Sequence, residues 1–263
     1  MIQIPEGFFA VAWNVIGGAI VASLTIAVQG IRRKVRRRSF RMIFGNDVED
    51  VFYLIYPHFE PPSRDIEFSK PQSRVPRRTS SAINLSALHS TAATRTVNYL
   101  AYEIGSNSKA PPRIISDVDA DSLMDISFLS IGGHTNHKSV DLFDNEENKF
   151  IDFGHESIIS KESGDPIVMA ESEVDYAIIL KISPLDNSKR TWLCCEGLGE
   201  WGTSGSAWWL SRNWKLIYKK AKNRSFACIT RTRVGSDDST RMLHLFLSSE
   251  DVQRAAHSHN NSR

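Results

Sequence analysis

The sequence predicts an α/β protein: a single N-terminal transmembrane helix followed by one layered domain with a mixed, largely parallel sheet. Three observations predict it. Residues 8–28 form an uncharged, mostly apolar run, long enough at ~1.5 Å per residue to cross a ~30 Å hydrocarbon core as a helix. Beyond residue 39, apolar runs of strand length alternate with stretches of helical period, the pattern of helices layered on a sheet. Two glycine-rich turns each follow a strand-like run, the position at which open α/β sheets bind ligands. The expected organisation is an anchor and basic collar over 1–38, a domain over 39–250 and a disordered tail over 251–263.

The basic residues Arg32, Arg33, Lys34, Arg36, Arg37 and Arg38 follow the apolar run directly, and Glu6 precedes it. By the positive-inside rule this describes a single-pass protein of the cell membrane, N-terminus outside and domain in the cytoplasm. A cleaved signal peptide carries its cations before the apolar stretch, the reverse of this order. A buried core helix is shorter and shows a polar stripe, whereas Asn14, Ser23 and Thr25 are the clear polar side chains here. The expected partners are the lipid bilayer through 8–28 and anionic headgroups through the six cations. Gly18 and Ala22 make a small-xxx-small pair that allows a homo-oligomer. The net charge of +2 is smaller than the collar's own charge, so the remainder is slightly acidic and nucleic-acid binding is disfavoured. Cys194, Cys195 and Cys228 fit a reduced compartment. Neighbouring Cys194 and Cys195 point to opposite faces of a strand, which makes them poor partners for a disulfide or a shared metal.

The elements follow in order. Residues 40–44 and 51–56 read as strands separated by a Gly45-Asn46-Asp47 turn. Pro61, Pro62, Pro71 and Pro76 make 57–78 a long loop. Over 86–104, Leu88, Ala92, Ala93, Val97, Leu100, Ala101 and Ile104 share one helical face, with Ser86 as N-cap and Gly105 as stop. Ile114-Ile115 and an acidic connection through Asp117, Asp119, Asp121 and Asp125 lead to a strand over 126–131 and a short helix within 134–143. A hairpin turning at Gly154 is expected over 150–159. Strands over 176–182 and 191–195 flank a turn at Pro184-Leu185-Asp186-Asn187. A helix over 206–221, carrying Ala207, Leu210, Trp214, Ile217 and Tyr218, ends in basic residues that suit a helix C-terminus. Strands over 225–230 and 242–247 close the domain.

The first turn reads Gly132-Gly133-His134-Thr135-Asn136 and the second Gly197-Leu198-Gly199-Glu200-Trp201-Gly202-Thr203-Ser204-Gly205. Glycine lets backbone approach a ligand closely, and a helix N-terminus favours an anion. The candidate ligand-binding residues are therefore Gly132, Gly133, Thr135, Asn136, Gly197, Gly199, Gly202, Thr203, Ser204 and Gly205. Glu196, Glu200 and His134 are the candidate acids and bases, since a histidine and a carboxylate from the two turns can meet across a cleft. Gly197, Gly199 and Gly202 match a dinucleotide fingerprint locally, but twenty positions on stands Tyr218-Lys219-Lys220 rather than an acidic residue. No G-K-[ST] follows for a phosphate loop, and Ser204 lacks the flanking glycine of a nucleophile elbow. The glycines also have a purely structural reading, as tight turns and helix-sheet contacts. No cofactor and no metal are expected.

Ser130-Ile131-Gly132-Gly133 with Asn136, then Gly197 through Gly205 with Ser206-Ala207-Trp208, resembles a scattered group of prokaryotic α/β domains of no assigned activity. The resemblance extends over about 40–231 and implies a shared fold and cleft; His134 stands where that group has proline. The expected function is binding or sensing of a small anionic ligand of nucleotide type. The alternatives are a nucleotide-directed hydrolase or glycosidase-like enzyme, and an interaction module that docks a partner through the tryptophans at 201, 208, 209 and 214.

Overall fold

The computed structural model describes residues 6–58, 82–123, 126–133, 136–184 and 190–249, with side chains described from 18 to 58 and from 91 onward within those ranges. The expected loop beyond residue 58, Asp125, the turn at 185–187 and the tail lie outside the described residues; the expected N-cap at Ser86 is corrected, because the helix already begins at Ala82 and position 86 is inside it. The chain divides into two compact units, 1–39 and 40–263.

Helix α1 (Glu6–Phe44) runs for 39 residues. Among the described residues no helix is long and apolar enough to cross a membrane. This overturns the transmembrane anchor over 1–38, and with it the single-pass topology and the cell-membrane location. The apolar run does not form a helix of its own: α1 continues unbroken through Arg32, Arg33, Lys34, Arg36, Arg37 and Arg38 to Phe44. The expected strand over 40–44 is also corrected, because it is the last turn and a half of α1. Phe40, Ile43 and Phe44 fall at i, i+3 and i+4 and are all fully buried, a helical spacing that five apolar residues alone do not distinguish from a strand. Gly45, at φ 101°, ends the helix.

The second unit continues with a short 3-10 turn and then β1 (Tyr53–Tyr56), α2 (Ala82–Asn107), β2 (Arg113–Ser116), α3 (Asp117–Ala120), β3 (Phe128–Ile131) and α4 (His137–Asp144). A small antiparallel sheet of β4 (Ile151–Gly154), β5 (Ser157–Ser160) and β6 (Pro166–Met169) follows. The chain then returns through β7 (Val174–Ile182), β8 (Trp192–Gly197), α5 (Glu200–Ala221), β9 (Phe226–Arg233) and β10 (Ser236–Leu247). Helix α2 passes through Gly105, the expected stop, and the amide of Asn107 bonds the Glu103 carbonyl near its end. Helix α5 starts at Glu200, so Gly202, Thr203, Ser204 and Gly205 belong to its first turns rather than to the loop before it.

The main sheet has the order β10-β9-β7-β8-β3-β1-β2. β2, β1, β3 and β8 pair in parallel and β8, β7, β9 and β10 antiparallel, so five of the seven strands run one way. This is the mixed, largely parallel sheet expected. One face packs against α2, α5 and the end of α1, through Leu100, Ile104, Leu210, Trp214, Phe40 and Phe44. The other packs against α3, α4 and the small sheet, through Ala120, Leu142, Phe143, Ile151 and Ile158. All nine residues of β7 are buried, Lys181 among them.

Candidate functional site

From β1 the chain crosses by α2 on one face to β2, then by α3 on the opposite face to β3 on the other side of β1. That reversal is a topological switch point, and open α/β sheets bind ligands outside the carboxyl ends of the strands flanking such a point. Gly132 and Gly133 leave β3 there, Gly197 ends β8 beside them, and the Gly132 N–H donates to the Cys195 carbonyl at 3.2 Å. Two turns more than 60 residues apart in sequence are therefore neighbours. Gly132 adopts φ 85°, which favours glycine. A Cβ on Gly133 would collide with Oε1 of Glu196, a carboxylate only 2 % exposed.

Two side chains fix this rim. Asn136 is fully buried; its amide donates to the carbonyls of Ile55 and Ile131 at 3.1 and 3.0 Å, and its Oδ1 accepts from the Lys138 N–H at 3.0 Å. It thus ties the ends of β1 and β3 together and caps α4, so a residue expected to touch ligand instead holds the frame. Asp117 accepts from the backbone N–H of His58 at 2.7 Å and of His137 at 3.1 Å. Both histidines are exposed, which places two imidazole-bearing residues on the rim. His134 and Thr135 lie outside the described residues.

The second turn is built around an aspartate. Asp175, at the start of β7, accepts from the N–H groups of Gly199 at 2.9 Å and Gly202 at 2.6 Å, and the Gly197 N–H donates to Thr203 Oγ1 at 3.0 Å. The donors at the start of α5, which suit an anion, thus meet the chain's own carboxylate. Burial pushes the Asp175 pKa up to about 6, against the pull of those N–H bonds. The dinucleotide fingerprint is closed off in the same way, and a Cβ on Gly202 would stand 2.7 Å from the Tyr176 carbonyl. A Cβ on Gly205 would strike Thr232 and Thr240.

Ser204 and Glu200 face a third cluster, between α2, α5 and β10. Ser204 donates to Asp237 at 2.6 Å and accepts from Arg95 at 3.1 Å; Tyr99 donates to the same carboxylate at 3.0 Å. The Arg95 guanidinium lies 4.1 Å from the ring centroid of Trp201. Burial raises the Glu200 pKa, with Arg95 opposing and Asp237 adding to the rise. Among the tryptophans, Trp209 and Trp214 are buried and Trp201 and Trp208 partly so; Trp214 donates to Glu103 at 2.7 Å.

The expected residues therefore divide. Gly132, Gly133, Gly197 and Glu196 meet at the switch point with Asn136 behind them. Gly199, Gly202, Thr203, Ser204, Gly205 and Glu200 serve the seating of α5. Asp117, Asp175, Arg95, His58 and Asp237 were not singled out by sequence reasoning as site residues. The one usable signal was Asp175, a charge opening the otherwise apolar run 174–180. Among the described residues no group of three or more His, Cys, Asp or Glu is placed to hold a metal ion. No protein-family model matches the sequence, and no curated protein matches it.

Proposed function

We propose that the domain binds a small ligand of nucleotide type in the crevice outside the carboxyl ends of β1, β3 and β8, and acts as a sensor of that ligand. The observation that carries this reading is the meeting of the two glycine turns beside the switch point, where the backbone of Gly133 packs directly against the buried carboxylate of Glu196. A carboxylate in that position accepts hydroxyl or amino donors, as from a ribose or a base edge. An anionic group would then sit toward the rim, at His58 and His137, and not at the start of α5, where Asp175 already occupies the N–H donors. The test is thermal unfolding of the full-length chain against a nucleotide and nucleoside panel. A ligand at a hundred times its Kd stabilises by about 2.7 kcal/mol, and Gly133→Val, which drives a branched side chain into Glu196, is expected to abolish the shift. A flat panel would sink the reading.

The position of Glu196 against Gly133 supports a second reading, hydrolysis of a nucleotide with that carboxyl group as proton donor. Glu196→Gln would then retain binding and lose turnover, and turnover surviving the substitution would exclude it.

A further inference from the structure

The ligand crevice belongs to the second unit, and the first carries a separate feature. Along α1, Val21, Leu24, Val28, Ile31 and Val35 are spaced 3, 4, 3 and 4 residues apart and are 45–64 % exposed. That is a heptad seam, with β-branched valine at every a position and leucine or isoleucine at d. Of the seven registers the helix could take, this alone puts a branched apolar residue at every a and d position from 21 to 35; each of the others meets Gly, Ala, Ser, Thr, Gln, Arg or Lys. We propose that α1 pairs in parallel with α1 of a second copy of this chain along Val21, Leu24, Val28, Ile31 and Val35.

Three arguments select a second copy as occupant. Valine at a with leucine at d, as at Val21, Leu24 and Val28, is the pattern of two-stranded parallel coils. The five seam side chains of two copies together offer on the order of 1,000 Å2, the lower bound for a specific interface. The seam residues are all uncharged, and the first charge it meets is Arg38 at the next d position, so two facing arginines end the pairing there. Arg32 and Lys34 fall at the positions flanking the contact, where two copies repel one another through solvent, and Arg33, Arg36 and Arg37 face outward.

Single cysteines test the register, because the three native cysteines are all buried. Leu24→Cys and Val28→Cys in the purified full-length chain are expected to form disulfide-linked dimers under mild oxidation, while Ile26→Cys and Gln29→Cys, on the outer face, are expected to stay monomeric. The dimer fraction of the unmodified chain, read by light scattering, is expected to rise several-fold as salt screens the flanking cations. A single-chain mass at all salt concentrations, or cross-linking equal at all four positions, would overturn the proposal. Cross-linking only in mixtures of Val21→Cys with Val35→Cys would overturn the parallel arrangement.

Discussion

Asp175 shows how one carboxylate can organise a turn. Its two oxygens take the N–H groups of Gly199 and Gly202, and Asp175→Asn would set an amide N–H against one of those donors. Leaving a buried donor unmet costs about 1–3 kcal/mol, so chemical denaturation of the variant should show a loss of that order. The group also makes stability depend on pH. Its folded pKa of about 6 lies above the ordinary carboxylate value, so its favourable contribution is present below about pH 4 and is lost as pH rises through 6. Stability measured across that window should fall for the unmodified chain and fall less for Asp175→Asn. Lys181 works in the opposite sense. Its ammonium is buried and bonded to the carbonyls of Met42 and Asn223, and burial lowers its pKa to about 7. Stability from this group is present above the free lysine value and is lost as pH falls toward 7; Lys181→Met should flatten the profile between pH 7 and 10.

At the scale of elements, α5 rests on the sheet through glycine. Gly205 faces Thr232 and Thr240, which hydrogen-bond each other at 2.9 Å, so Gly205→Ala must displace a hydroxyl pair or lift the helix. Overpacking of this kind costs about 1–3 kcal/mol, outweighing the helix propensity that alanine gains, and the melting temperature should drop accordingly. The same element shows what could be read in advance. Its apolar face from Ala207 to Ile217 was legible because the 3.6-residue period is a local property. Its start at Glu200 was not, because the cap comes from Asp175, 24 and 27 residues away from the N–H groups that it receives. The end of α1 reads wrongly for a related reason: Phe40 to Phe44 has no intrinsic preference strong enough to declare itself, and the helix propagating through the basic collar decides the matter. Asn136 stands out in the sequence, but its partners at Ile55 and Ile131 turn an expected ligand contact into a fastening between strands.

Over the whole molecule, the alternation of short apolar runs and helical stretches was enough to foresee an α/β layered sheet of mixed direction. The membrane-spanning reading of the N-terminus is overturned, since among the described residues no helix is long and apolar enough to cross a membrane. The meeting of the two glycine turns was not legible in advance, since strand order is a property of long-range pairing and no local pattern encodes it. β3 and β8 are neighbours in the sheet and pair over four residues from Phe128 to Ile131.

The lengths of the strands have a consequence for motion. β1, β2 and β3 contribute four residues each, whereas β7, β9 and β10 run to nine, eight and twelve. A four-residue ladder has few bonds to break, so the half of the sheet bearing the crevice should open at lower free energy than the antiparallel half. Deuterium should enter the amides of Leu54 and Leu129 well before those of Ile178 and Ile229, and an occupant of the crevice should slow the first pair while leaving the second untouched.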